Sequence, residues 1–107
     1  MTSPWPKLPT TVRAAGGPIR VRLIKVVKQD EGLLCWGTWE ASTRMIRLER
    51  AAPPEHRWRV LYHEWAHAVL DDSGITNLLT PDAVEMLCDA FATARMQELR
   101  GVLGMAN

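Results

Sequence analysis

Cysteine, histidine and long apolar runs are all scarce in this chain, and each scarcity closes a class of explanation. The 107 residues hold only two Cys, at positions 35 and 88. With no charged-then-apolar leader before them, these are expected to be reduced thiols and not a disulfide framework. No apolar stretch approaches the ~20 residues that cross a bilayer as a helix, so no membrane association is expected and the expected location is cytoplasmic. Internal repeats and low-complexity tracts are missing too. The length suits one minimal domain, spanning 1–107, with residues 1–10 as a proline-rich arm around Trp5. Formal net charge is only +1, yet it is unevenly placed: residues 1–60 carry 11 Lys and Arg against 5 acids, and residues 61–107 carry 2 against 7. A basic surface for nucleic acid would fit that asymmetry. Solvated strand faces fit it better, because Arg20, Arg22, Lys25, Lys28, Arg44 and Arg47 fall on expected strands, and several of the C-terminal acids have another use.

What is present concentrates between residues 56 and 89. Of the three histidines, two lie in His63-Glu64-Trp65-Ala66-His67. Imidazoles four residues apart on a helix share a face, so both can hold one zinc ion while the Glu beside the first works on a water activated by the metal. The residues around the motif suit an interior helix: from Val60 to Val69 no other residue is charged, and Leu61, Trp65, Ala66, Ala68, Val69 and Leu70 are apolar or small. No His follows His67. A downstream third His is therefore excluded, and Glu, Asp or Cys must complete a zinc site.

Glu85 is the best downstream candidate, with Asp89 four residues later. Ser73-Gly74 reads as a helix stop, and Thr80-Pro81-Asp82 as a start, with a hydroxyl cap, a proline at the first helical position and an acid in the first turn. At ~1.5 Å per residue, His67 lies about 7 Å before the end of the first helix and Glu85 about 6 Å into the second. An antiparallel return therefore brings the carboxylate level with the two imidazoles. Asp89, one turn on, can accept a hydrogen bond from the other ring nitrogen of a ligating His. The structural alternatives are partnered interior histidines and exposed helix charges. Val84, Leu87, Cys88 and Phe91 form the expected core stripe of this second helix.

Upstream, Leu33–Glu40, a polar turn at Ala41-Ser42-Thr43 and Arg44–Glu49 read as a β-hairpin. Gly37 inside its first strand suits either close approach by another backbone or a bulge. An earlier strand, Ile19–Val27, is rich in β-branched residues, with an alternation that slips at Leu23-Ile24. The expected fold is α+β: a small, mostly antiparallel sheet of about three strands packed on the His-bearing helix and a second, antiparallel helix.

The stretch Val60-Leu61-Tyr62-His63-Glu64-Trp65-Ala66-His67-Ala68-Val69 resembles the extended zincin helix motif, and Glu85-Met86-Leu87-Cys88-Asp89 resembles the Glu-x-x-x-Asp motif of gluzincins. From Glu85 through Phe91-Ala92 the chain is also similar to the minigluzincins and to the ImmA/IrrE group of regulatory metallopeptidases. That group commonly carries Asn in place of the Asp and a following Leu-Leu-Met-Pro, where this chain has Asp89 and Ala94-Arg95-Met96-Gln97. The resemblance implies one zinc ion on His63, His67 and Glu85, Glu64 as general base, Asp89 behind a ligand, and hydrolysis of a protein or peptide substrate such as a repressor or viral protein. It also implies that Trp36, Gly37 and Thr38 form an edge strand that pairs with extended substrate. A donor for the developing oxyanion is not identified: Tyr62 lies on the zinc helix about 100° from His63, leaving His56. Two alternatives stand beside this reading. One is a noncatalytic, zinc-stabilised partner-binding domain. The other is a deformylase-like amidase, suggested by Glu31-Gly32-Leu33-Leu34-Cys35, although such motifs usually carry Asp where Ala66 stands.

Overall fold

The computed structural model describes residues 3–25 and 36–105. Its elements are β1 (Thr11–Ala14), β2 (Gly17–Ile24), β3 (Gly37–Glu40), β4 (Met45–Glu49), α1 (Pro54–Asp72) and α2 (Pro81–Val102), with a single 3₁₀ turn, Ile75–Leu78, between the helices. The fold is α+β, with four strands in the order β1-β2-β4-β3. β1 pairs antiparallel with β2 and β3 antiparallel with β4, whereas β2 and β4 run parallel. β1 is the strand that alternation alone does not reveal. It is four residues long, and only Val12 is fully buried.

Alternation along β2 is clear as far as Arg22 and slips at Leu23-Ile24, both of which are half-buried. Ile19 and Val21 are buried while Pro18, Arg20 and Arg22 are exposed, so one face meets the core and the other does not. With Val12, Ile46 and Leu48 they form an apolar layer against Leu61 and Ala68 of α1. The hairpin departs from expectation at Arg44. This residue is not on the strand but in the turn, in the left-handed region at φ 50°, and it is only partly solvated: its guanidinium makes two 2.9 Å bonds to the Asp72 carboxylate at the end of α1. The Gly16 N–H donates to the same carboxylate. Asp72 is thereby held at a pKa of about 2, chiefly by Arg44 and then by the Gly16 N–H.

Both helix boundaries follow their local chemistry. α1 begins with Pro54 and ends where the Ser73 N–H bonds back to the Val69 carbonyl and Gly74 turns left-handed at φ 75°. α2 is capped by the Thr80 hydroxyl, which accepts from the Ala83 N–H at 3.1 Å. The two helices meet through small residues. Ala66 packs with Val84 and Cys88, and Tyr62 with Ala92 and Met96. The core stripe of α2 is thus Val84, Cys88, Ala92 and Met96, a row at every fourth position. Leu87 and Phe91, expected inside, are 47% and 42% exposed. Among the described elements α2 packs chiefly on α1, with Trp5 added against Ala92 and Met96, and one narrow ridge of side chains suffices for that contact. Val69 is likewise on the surface, since the sheet and α2 leave that side of α1 uncovered.

Candidate metal centre

The row of side chains that joins the helices fixes the neighbouring row. Tyr62 and Ala66 on α1 and Val84 and Cys88 on α2 pack inward; the residues one position later, His63, His67, Glu85 and Asp89, therefore meet along the rim of the same seam. His67 Nε2 lies 2.8 Å from Glu85 Oε1 and His63 Nε2 lies 3.1 Å from Glu85 Oε2. One carboxylate thus faces both imidazoles, whose ring centroids are 5.0 Å apart. One donor atom from each of His63, His67 and Glu85 falls within 4.8 Å of the others, close enough to share a single ion. Asp89 Oδ1 lies 2.8 Å from His63 Nδ1, on the far side of that ring. Such a contact fixes the tautomer that presents Nε2 as the free donor.

Glu64 projects from the other flank of α1, toward the sheet. Burial, then the nearby Glu85 carboxylate, push its pKa up to about 8, while a hydrogen bond from the Trp39 backbone N–H works in the opposite direction. Among the described residues β3 is an edge strand whose only ladder partner is β4. The Trp36 carbonyl accepts from the Glu49 N–H, toward β4. Backbone direction alternates along an antiparallel strand, so the Trp39 N–H points away from β4, and Glu64 sits at the outer edge of the sheet.

Gly37 explains how β3 comes so close to α1. A Cβ there would stand 2.4 Å from Val60 Cγ1 and 3.1 Å from Leu48 Cδ2. The closest approach is by these side chains, with the Arg47 backbone carbonyl oxygen next at 3.2 Å. Trp36, Gly37, His56, Val60 and Glu64 border a cleft of about 270 Å³ that opens beside the donors. Thr38, the third residue expected at a substrate edge, pairs with Arg47 in the β3–β4 ladder.

His56 sits on α1 two turns before His63, its ring edge-on to Trp36 at 5.0 Å. Its Nε2 is buried with no partner among the described residues. Tyr62 is withdrawn from the cleft: it is buried between the helices, its ring parallel to that of Trp65 at 6.4 Å. Cys88 is fully buried, and burial first, then the surrounding carboxylates, raise its thiol to about 12, so packing is its role. Cys35 and the rest of the Glu31–Cys35 segment lie outside the described residues. Two participants escaped sequence reasoning. Arg59 could have been found, because it lies four residues before His63 on the same helix face. The Trp39 N–H could not, because its direction depends on strand register.

No helix among the described residues is long and apolar enough to cross a membrane. Comparison with curated proteins and with solved structures finds no match in either. Residues 17–100, from the start of β2 almost to the end of α2, match the family Peptidase_M78, described as the IrrE N-terminal-like domain. That span takes in both histidines of the motif, Glu64, Glu85 and Asp89, and the chain belongs to this family of metallopeptidase-type domains.

Proposed function

We propose that the protein is a zinc-dependent peptidase in which His63, His67 and Glu85 hold one ion and Glu64 is the general base. The observation that carries this reading is the meeting of two imidazole nitrogens and one carboxylate within 4.8 Å, with a buried carboxyl on the adjoining turn. Two nitrogens and an oxygen are a donor set that zinc accepts, and three protein ligands are the number found at catalytic sites. Bound zinc supplies a Lewis acid for the scissile carbonyl and brings a water's pKa to about 7.

The remaining chemistry belongs to the chain. Glu64 takes the proton of the attacking water and hands it to the leaving amine. A bound cation beside it would favour its carboxylate form, countering burial and Glu85. Asp89 orients His63 through Nδ1. The outer edge of β3 receives the substrate as an added strand, where the outward-facing main chain is that of Gly37 and Trp39 and the Trp39 N–H bonded to Glu64 sets the position of the base against it. Protein or peptide segments that can be drawn out straight are the substrate class.

Glu64→Gln tests the assignment. It should keep zinc and fold while losing hydrolysis of a casein or peptide library by a factor of about 100 or more. Loss of zinc in this variant would make Glu64 a ligand and overturn the role. A wild type that binds zinc and cleaves neither peptides nor formyl-peptides would leave only a clamp joining α1 to α2.

A further inference from the structure

The cleft beside the donors does not end at the histidines. Arg59 and His56 line both it and a larger groove of about 600 Å³ that continues between α1 and α2, past Thr93 and Gln97. Arg59 stands at the junction. It is one turn before His63 on α1, and Thr93 is one turn after Asp89 on α2, so in the antiparallel pair the two are level. Both terminal nitrogens of Arg59 donate to the one Thr93 hydroxyl, at 3.2 and 3.3 Å. Of the acids that share these clefts with it, Asp89 is turned to His63 Nδ1 at 2.8 Å, Glu55 pairs with Arg100, and Glu64 accepts from the Trp39 N–H. The guanidinium is therefore fixed in place by a neutral oxygen, and no carboxylate among the described residues pairs with it. Five N–H donors in a planar fork match a carboxylate with two parallel bonds, and one hydroxyl leaves that capacity largely unused.

We propose that Arg59 is a specificity residue that selects an acidic side chain next to the scissile bond; this rests on the peptidase reading above. Distance supports the match. Four helical residues separate Arg59 from His63, about 6 Å along the axis. The reach of the Arg side chain and that of an Asp or Glu side chain together span that separation from a main chain held at the donors. Direction follows from β3, which runs the same way as α1, with Gly37 against Val60 and Trp39 against Glu64. A substrate paired antiparallel to β3, the commoner mode, runs from the Glu40 end toward Gly37. The Arg59 pocket then takes the residue that follows the cleaved bond. Trp36, half exposed at the mouth, covers the aliphatic part of that side chain.

The test separates recognition from catalysis. Fluorescein-labelled octapeptide amide pools, neutral throughout except for one fixed Glu, Gln or Lys, are titrated by anisotropy against zinc-loaded Glu64→Gln protein. The Glu pool should bind at least about 10-fold tighter than the Gln pool. Arg59→Met in the same background should erase the difference, Arg59→Lys should keep part of it, and Arg59→Glu should favour the Lys pool. Zinc content and circular dichroism check that each variant is folded. Equal binding of the Glu and Gln pools, or no binding of either, overturns the proposal. So does an Arg59→Met variant that weakens all pools alike, because Arg59 would then act on the main chain. Cleavage mapping with active wild type distinguishes the two readings. Hydrolysis without acidic preference sinks this one alone, whereas acidic preference in binding without any hydrolysis sinks the peptidase assignment and leaves the pocket.

Discussion

Zinc should act on this protein as a bolt between two helices whose own contact is slender. The proposed donors come from both sides of the seam, two from α1 and one from α2, while the apolar contact beneath them uses small side chains such as Ala66, Cys88 and Ala92. Ligand binding to the folded state alone adds RT ln(1 + [Zn]/Kd), or about 2.7 kcal/mol when free zinc is 100 times Kd. In a domain of this size each kcal/mol moves Tm by about 4–8 °C, so chelation of loaded protein should lower Tm by roughly 10–20 °C. Glu85 is more than half exposed, so Glu85→Ala should melt close to the wild type when both are free of metal. At the same buffered zinc, however, it should recover less than about a third of the shift, having lost the only donor on α2. Differential scanning fluorimetry against a series of buffered zinc concentrations, with calorimetric titration to fix Kd, measures both quantities. Zinc that binds without raising Tm, or a Glu85→Ala variant with the full shift, would refute the bolt.

Three other outcomes are expected. Asp89→Ala should weaken zinc binding by about 10- to 100-fold, through loss of His63 orientation and not of a donor, and leave a smaller defect than Glu85→Ala in the same competition assay. Gly37→Val should cost about 1–3 kcal/mol in urea denaturation, because its Cβ would stand 2.4 Å from Cγ1 of the β-branched, stiff Val60, and it should impair peptidase activity by pushing β3 off α1. The Asp72–Arg44 pair should set a pH dependence: with a folded pKa of about 2 against an ordinary 3.8, its stabilisation is complete above about pH 4 and disappears as pH falls toward 2. Acid titration of wild type and Asp72→Asn should show the two stabilities converging in that window; a constant gap would mean that Asp72 acts by packing.

The legible parts were those governed by nearest neighbours in sequence. The break between the helices follows from Ser73-Gly74 and Thr80-Pro81, and once it is placed, the spacing from His67 to Glu85 brings the donors level. Features that depend on distant strands were not legible. β1 is too short for its alternation to register, and the parallel union of β2 with β4 requires knowing that β3 lies outside β4 and not between the two. Arg44 read as a strand residue because nothing local announces Asp72, 28 positions away, as its partner. Leu87 and Phe91 misled for a different reason. The width of a helix's buried stripe is set by what packs on it, and α1 with Trp5 covers too little of α2 to bury Leu87 and Phe91.

Residues 5 and 6 touch the far end of the chain. Trp5 packs on the Tyr62–Ala92–Met96 cluster, the Arg100 guanidinium lies over its ring at 5.5 Å, and the Trp58 indole N–H bonds to the Pro6 carbonyl at 2.8 Å. Closing a loop of about 95 residues costs on the order of 1 kcal/mol more entropy than closing the 22-residue loop from His63 to Glu85. The two events should therefore separate in time. The helical hairpin can form from local contacts, while the wrap of Trp5 onto the last turns of α2 must bridge most of the fold, so the seam that carries the candidate metal site should form before the wrap is added.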